Sequence, residues 1–360
     1  MFNVIFRYME INKALTFDDV LLVPKYSEIL PSEVNTSITL SSNLKLKTPL
    51  LSSAMDTVTE SKMAIAMAQN GGLGVIHRNL SIDEQLKQVQ LVKKRKLKVA
   101  AAIGVGSKEV ERAEGLLEKN IDLIVIDTAH GHTKKVKDTL KKISKLRKKT
   151  SICVGNVATP EAAKFLINNG ADIIKIGIGP GSICTTRMVA GIGVPQLSAI
   201  LDIKKKIKTT KISFISDGGI KFSGDLAKAF SAGADAIMIG SLFAGTDQAP
   251  GKIIKKNGKL YKKFRGMGSI GAMSQGSADR YNQQNVSKKT KFVAEGVEGY
   301  IRYKGDVNKI IYQLIGGLKS SMGYLGCSNV KSLRKNPKFI TITKAGFYES
   351  MVHNIDLVKG

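Results

Sequence analysis

The segment GIGPGSICTTR, residues 177–187, sets Cys184 among glycines directly after an apolar stretch. Cysteine usually behaves as a small buried hydrophobe, whereas glycine-rich turns lie where backbone must approach something closely. A thiol on such a turn can be reached by a substrate. Its thiolate is a nucleophile, and nearby positive charge or a helix dipole would lower its pKa from about 8.5. The alternative, a half-buried structural cysteine, leaves the flanking GPGS and TTR without a purpose. Gly177, Gly179 and Gly181 let amides and carbonyls approach a ligand or an ion.

Two further stretches have the chemistry of a phosphate site. SDGGIKFSGD (216–225) and IGS (239–241) end consecutive apolar runs, and exposed backbone N–H groups at such ends bind phosphate. Ser182 adds a hydroxyl. Asp217, an anion, is wrong for phosphate and right for accepting hydrogen bonds from sugar hydroxyls, so the pair suits a nucleotide. KFRGMGSIGAMSQGSADRYNQQ (263–284) is rich in glycine and carries the polar tip Asp279-Arg280-Tyr281. It reads either as a floppy polar loop or as a flap that delivers Arg280 to a reaction. No GxGxxG follows a first strand, so a Rossmann dinucleotide site is not supported, and GVGSKE (104–109) is only a strand-to-helix turn.

These residues need a scaffold that gathers strand ends. Eight apolar runs supply it: 49–55, 73–77, 98–104, 122–128, 151–157, 172–179, 212–219 and 235–241. Amphipathic segments alternate with them. Thr159 and Pro160 open one helix and Gly170 closes it; Thr59 opens and Gly71 closes another. Eight buried strands alternating with helices predict a parallel sheet closed into a (β/α)8 barrel, with a doubly wound open sheet as the runner-up. Function then belongs at the carboxyl ends of the strands, where these motifs fall. Long loops at 180–195 and at about 244–305 read as lids or binding loops, the second leading to a helix near Asp306.

The chain of 360 residues is 43% hydrophobic and 24% charged, proportions of a globular protein, and has no apolar run long enough to span a bilayer. Cys153, Cys184 and Cys327 are odd in number and far apart, which gives neither a disulfide framework nor a zinc site. MFNVIFRYMEINK lacks the form of a signal peptide, so a cytoplasmic location is expected. The net charge of +27 is spread over segments such as 134–149 and 202–211, which have helical apolar spacing beneath their lysines. Solvated helix faces account for it, and nucleic-acid binding is expected to be non-specific at most.

Together the motifs resemble IMP dehydrogenase from LTFDDVLL (15–22) to the C-terminus, through SSAMDTVTE (52–60), GIGPGSICTTRMVAGIGVPQ (177–196), SDGGI, the RGMGS flap with SADRY, and EGVEG (295–299). The resemblance implies a homotetramer of catalytic barrels that oxidises IMP with NAD⁺. The cysteine matching Cys184 attacks C2 of the base, hydride leaves to the nicotinamide, and a thioimidate remains. The flap, about 261–303, then moves into the place of NADH for hydrolysis. Arg280 matches the family's base toward water, Tyr281 its partner, and Thr186 a threonine that helps activate water. Substrate contacts are implied at Ser53, Met55, Ser182, Asp217, Gly219, Gly240, Ser241, Met267, Gly268 and Glu295, and nicotinamide-side contacts at Asp127, Thr128, Asn156 and Gly177. A potassium site is implied on carbonyls of Gly179, Gly181 and Cys184, completed by a neighbouring subunit through Glu349, Ser350 and Met351.

Three positions depart from that pattern. The paired CBS repeats that most of the family insert near 92–98 are missing, leaving one catalytic domain over 1–360 without that regulation. Phe264 stands where a phosphate-reaching tyrosine is usual, which predicts a modestly weaker substrate grip. ESMVHN (349–354) replaces ESHPHD at the intersubunit ion site. The rival within the same fold is GMP reductase, which uses NADPH and has no Arg-Tyr pair like Arg280-Tyr281.

Overall fold

The computed structural model describes residues 11–209, 211–281, 283, 285–286 and 289–355. Most of MFNVIFRYMEINK therefore lies outside the described residues. Ahead of the barrel come β1 (Val20–Leu22) and the hairpin β2 (Ile38–Ser41) and β3 (Leu44–Leu46). Every one of the eight apolar runs then forms a strand: β4 (Leu50–Ser52), β5 (Leu73–Ile76), β6 (Ala100–Ile103), β7 (Leu123–Asp127), β8 (Ser151–Val157), β9 (Ile173–Ile176), β10 (Ser213–Asp217) and β11 (Ala236–Ile239). They pair in parallel in chain order, and β11 closes on β4 with Ile237 opposite Leu50. The runs are continuous rather than alternating because both faces are covered: every residue of β7 and β8 is buried.

The covering helices are α1 (Ser61–Gln69), α2 (Ile82–Lys93), α3 (Ser107–Glu118), α4 (Lys134–Leu146), α5 (Pro160–Ile167), α7 (Gln196–Lys206) and α8 (Ser223–Ala232), with the short α6 (Thr186–Val189) in the loop after β9. In α4 only Val136, Thr139, Leu140 and Ile143 are buried, which turns the lysines outward and accounts for part of the net charge. The expected Thr159 cap forms, its hydroxyl accepting the Ala162 N–H at 3.2 Å. The start expected at Thr59 is corrected: Glu60 is the N-cap residue, and the fully buried Thr59 donates its hydroxyl to the Ser53 carbonyl at 2.7 Å. That bond ties down the turn after β4. Only residues 94–99 connect α2 to β6, so the chain runs straight through the position of the missing insertion.

The segment after β11 differs from the expected long loop. It contains an antiparallel sheet of β12 (Ile254–Lys256), β13 (Lys259–Arg265) and β14 (Glu298–Arg302), with Phe264 opposite Gly299. The flap thus rises from two paired strands and includes the one-turn α9 (Ile270–Ala272). Beyond it α10 (Val307–Tyr324) starts where expected, Asp306 accepting the Asn308 N–H at 3.0 Å. β15 (Phe339–Thr341) pairs with β1, and α11 (Lys344–Glu349) follows. Among the described residues no helix is long and apolar enough to cross a membrane.

Candidate active site

The carboxyl ends of the strands surround a cleft of about 1030 Å³, its open mouth included, large enough for a nucleotide. All ten positions expected to contact substrate line it, as do Cys184, Thr186, Arg280, Tyr281, Asp127, Asn156, Gly177, Gly179 and Gly181. Thr128 does not: it is buried and donates its hydroxyl to the Gly155 carbonyl at 2.8 Å, a bond inside the barrel wall. Glu349, Ser350 and Met351 are exposed at and just beyond the end of α11, away from the cleft lining.

Cys184 is half-buried and its loop is fixed from both sides. Its N–H donates to Gly181 at 3.1 Å, Val297 donates to the Ile183 carbonyl at 3.0 Å, and Thr185 donates to the Glu295 carbonyl at 3.0 Å. The thiol stands 3.2 Å from the Thr186 hydroxyl. Cys153 lies wholly inside β8, where burial pushes its thiol up, and Cys327 is buried as well. Of the three thiols, Cys184 alone has the access a nucleophile needs. Gly177 lets the loop leave β9, because at its φ of +150° a Cβ would sit 2.1 Å from the Asp217 carbonyl.

At the opposite end the turn after β11 is wound tightly, with the N–H groups of Phe243 and Ala244 both donating to the Gly240 carbonyl. The N–H groups of Ser241 and Leu242 have no acceptor among the described residues. Ser241 lines the cleft together with Gly219 and Ser182, so its turn is placed to offer these amides to an anion. Phe264, 5% exposed, lines the same cleft and presents a ring where a hydroxyl would offer one more donor.

Lys175 is the most consequential of the residues that escaped sequence reasoning. Lys175 on β9 is 2% exposed, and its ammonium reaches Asp127 Oδ1 at 2.8 Å, Asp217 Oδ2 at 2.6 Å and Asn156 Oδ1. Asn156 donates in turn to Asp217 at 3.0 Å and to the Gly177 carbonyl at 2.7 Å. A single lysine therefore holds the carboxylate expected at the ribose and the one expected at the nicotinamide. The available signal was a lysine inside the apolar run IIKIGIG. Removing one partner of such a buried set leaves uncompensated charge, so Lys175→Met is expected to destabilise the fold by about 3–5 kcal/mol. Thermal unfolding beside Lys164→Met, a surface control, would check this; equal midpoints would contradict it.

The flap is docked. Arg280 pairs with Asp127, its carbonyl accepts the Ala129 N–H at 3.3 Å, and Asp279 pairs with Arg78 at 2.9 Å. Tyr281 packs on Gly268 so closely that a Cβ there would lie 2.7 Å from the phenol ring. Burial opposes ionisation of Asp127, but Arg280 and Lys175 outweigh it and hold its carboxyl at about 2. Burial likewise opposes the charge on Arg280, and Asp127 overrides it, so its pKa is raised. Burial also keeps Tyr281 neutral by raising its phenol.

A barrel whose strand ends combine unpaired amides, a carboxylate suited to sugar hydroxyls and an accessible thiol belongs with the nucleotide-handling (β/α)8 enzymes. Comparison with known proteins narrows this. The IMP dehydrogenase / GMP reductase domain matches residues 14–353, and the chain belongs to that family. It is 46% identical to inosine-5'-monophosphate dehydrogenase of Cryptosporidium parvum, with 97% of each chain covered. Its identity to the enzyme of that name from Borreliella burgdorferi is 44%, over 95% of this chain and 97% of the relative. The Aquifex aeolicus relative of the same name is 38% identical over 479 aligned residues, with 97% of each chain covered. Those 479 positions exceed 360, so this relative carries residues that the chain lacks, in keeping with the short 94–99 connection.

Proposed function

We propose that the chain oxidises IMP to XMP with NAD⁺ for guanine nucleotide synthesis, through a covalent adduct on Cys184. The observation that carries this reading is the single accessible thiol, held between a cradle of unpaired amides and a docked arginine flap. The phosphate takes the amides of Ser241 and Leu242, the ribose takes Asp217, and the base lies between Cys184 and the Gly268–Glu295 wall. The Cys184 thiolate bonds to C2, and the C2 hydride leaves with its electron pair. NAD⁺, when bound, would accept that hydride, with Asp127 and Asn156 suited to hold its nicotinamide end.

The thioimidate is then opened by water, which bonds to C2 as the Cys184 thiolate leaves and gives its proton to Arg280 once that side chain is released from Asp127. Arg280, Tyr281 and Thr186 line one cleft with Cys184, which supports their activating that water. While Arg280 is paired with Asp127 its guanidinium keeps its proton and acts as a donor toward developing charge. Serving as base, as the resemblance implies, requires release from Asp127. Because Asp127 cannot hold both the nicotinamide end and Arg280, docking of the flap and cofactor binding exclude one another. Arg78→Ala, which removes the partner of Asp279, is expected to lower the KM for NAD⁺ and to slow hydrolysis by about tenfold. Pre-steady-state and steady-state NADH formation would show this, and an unchanged KM with unchanged turnover would refute it.

A potassium ion suits the cysteine loop, because the carbonyls of Gly179 and Cys184 accept no hydrogen bond among the described residues and that of Gly181 takes only the Cys184 N–H. Such an ion would order the loop. The 349–351 segment, exposed here, would complete the site on a neighbouring copy of the proposed homotetramer.

GMP reductase is the second reading, favoured only by the shared family domain. The Arg280-Tyr281 flap has no work in a reaction without hydrolysis of an adduct, which favours the dehydrogenase. The test is NADH absorbance on mixing the protein with IMP and NAD⁺ in potassium buffer, beside GMP with NADPH. Signal in the first alone supports the proposal, and signal in the second alone replaces it with the reductase.

A further inference from the structure

Lys304 lies between β14 and α10, where the chain runs beside the turn after β11, its own N–H donating to the Gly245 carbonyl at 3.0 Å. Its half-buried side chain turns back beneath that turn and donates to two consecutive carbonyls, Ser241 at 2.6 Å and Leu242 at 3.2 Å. A trans peptide points its N–H opposite to its C=O. Holding the Ser241 carbonyl on the lysine therefore aims the Leu242 N–H the other way, toward the face on which the unpaired amides open. The positive charge also polarises the peptide that makes this donor.

Lys304 has no acidic partner among the described residues. The nearby acids are engaged elsewhere: Asp247 accepts from Tyr303 at 2.7 Å, and Asp306 accepts from Gln248 and caps α10. Two further cations of this region bind carbonyls as well, Lys262 those of Thr246 and Ala249 and Lys62 that of Asp247 at 2.9 Å. Burial without a counter-charge lowers the Lys304 ammonium to about 8. A buried cation without an anion beside it, under an anion cradle without an anion in it, gives the two a common solution.

We infer that Lys304 is a positioning residue for the substrate phosphate, orienting the Ser241–Leu242 amides and supplying the charge that a phosphate dianion offsets. This rests on the nucleotide reading of the cleft. A bound dianion stabilises the ammonium, so phosphate affinity and protonation are linked: affinity is full below pH about 8 and falls as the pH rises through that value.

The test compares IMP with inosine, which has the same base, with the same titration, and no phosphate. For the unmodified protein, calorimetry from pH 7 to 9.5 is expected to show IMP affinity falling more steeply than inosine affinity. Lys304→Met should weaken IMP about tenfold at pH 7, raise KM for IMP in parallel, leave inosine unchanged and keep kcat within about twofold. Lys304→Arg should restore IMP binding at pH 7 and remove the excess loss at high pH, since a guanidinium does not titrate there. If Lys304→Met fails to fold, the Arg variant and the unmodified pH profile still decide. Equal losses for IMP and inosine, or an Arg variant with the original pH dependence, would overturn the inference. A protein that binds neither IMP nor GMP would overturn the nucleotide reading instead.

Discussion

Cys184→Ala is expected to abolish turnover of IMP, with a loss of about 10⁵-fold, the scale on which covalent enzymes suffer when the nucleophile goes. IMP affinity should change by no more than about threefold, because amides, Asp217 and the flap base hold the rest of the nucleotide. The substitution removes one sulfur from a half-exposed position, so stability should hardly move. Steady-state NADH formation together with calorimetric IMP binding would check both halves. A variant that retains a hundredth of the activity would show that hydride leaves without a covalent bond to this thiol.

Arg280→Ala separates the two chemical halves. Hydride transfer precedes the step the flap serves, so one equivalent of NADH should still form in a burst near the original rate, while steady turnover falls by about 10³-fold. The ion pair with Asp127 also disappears, but Lys175 remains 2.8 Å away and keeps that carboxylate compensated. The site should therefore stay assembled. Rapid mixing with absorbance detection resolves burst from steady rate. Loss of the burst along with turnover would mean that Arg280 serves hydride transfer or substrate binding, not hydrolysis.

How much of this was legible in the sequence depended on the range of the signal. The barrel was legible because each strand is buried on both faces and reads as an uninterrupted apolar run between helical segments. The cysteine loop and the flap tip were legible because their residue types conflict with their surroundings. The sheet at the flap base was hidden: β12 (IKK) and β14 (EGYIR) are mostly exposed and the first half of β13 (KLYKKFR) is too, so these segments carry too little apolar alternation to mark strands. The cap at Glu60 was misread because Thr59, a better capping residue, is used to brace the turn after β4. Lys175, Arg78 and Lys304 gave almost no sign. Each is an ordinary basic residue in a chain with 56 lysines and arginines, and its partner is far away in sequence, 201 residues in the case of Arg78 and Asp279.

The most direct test of the central claim is to stop the reaction of the protein with IMP and NAD⁺ in acid during steady turnover, weigh the intact chain and map its peptides. The account predicts a purine nucleotide, less one hydride, bound to the peptide that contains Cys184, and its absence from Cys184→Ala. Steady NADH formation with an unmodified Cys184 peptide at every quench time would contradict it.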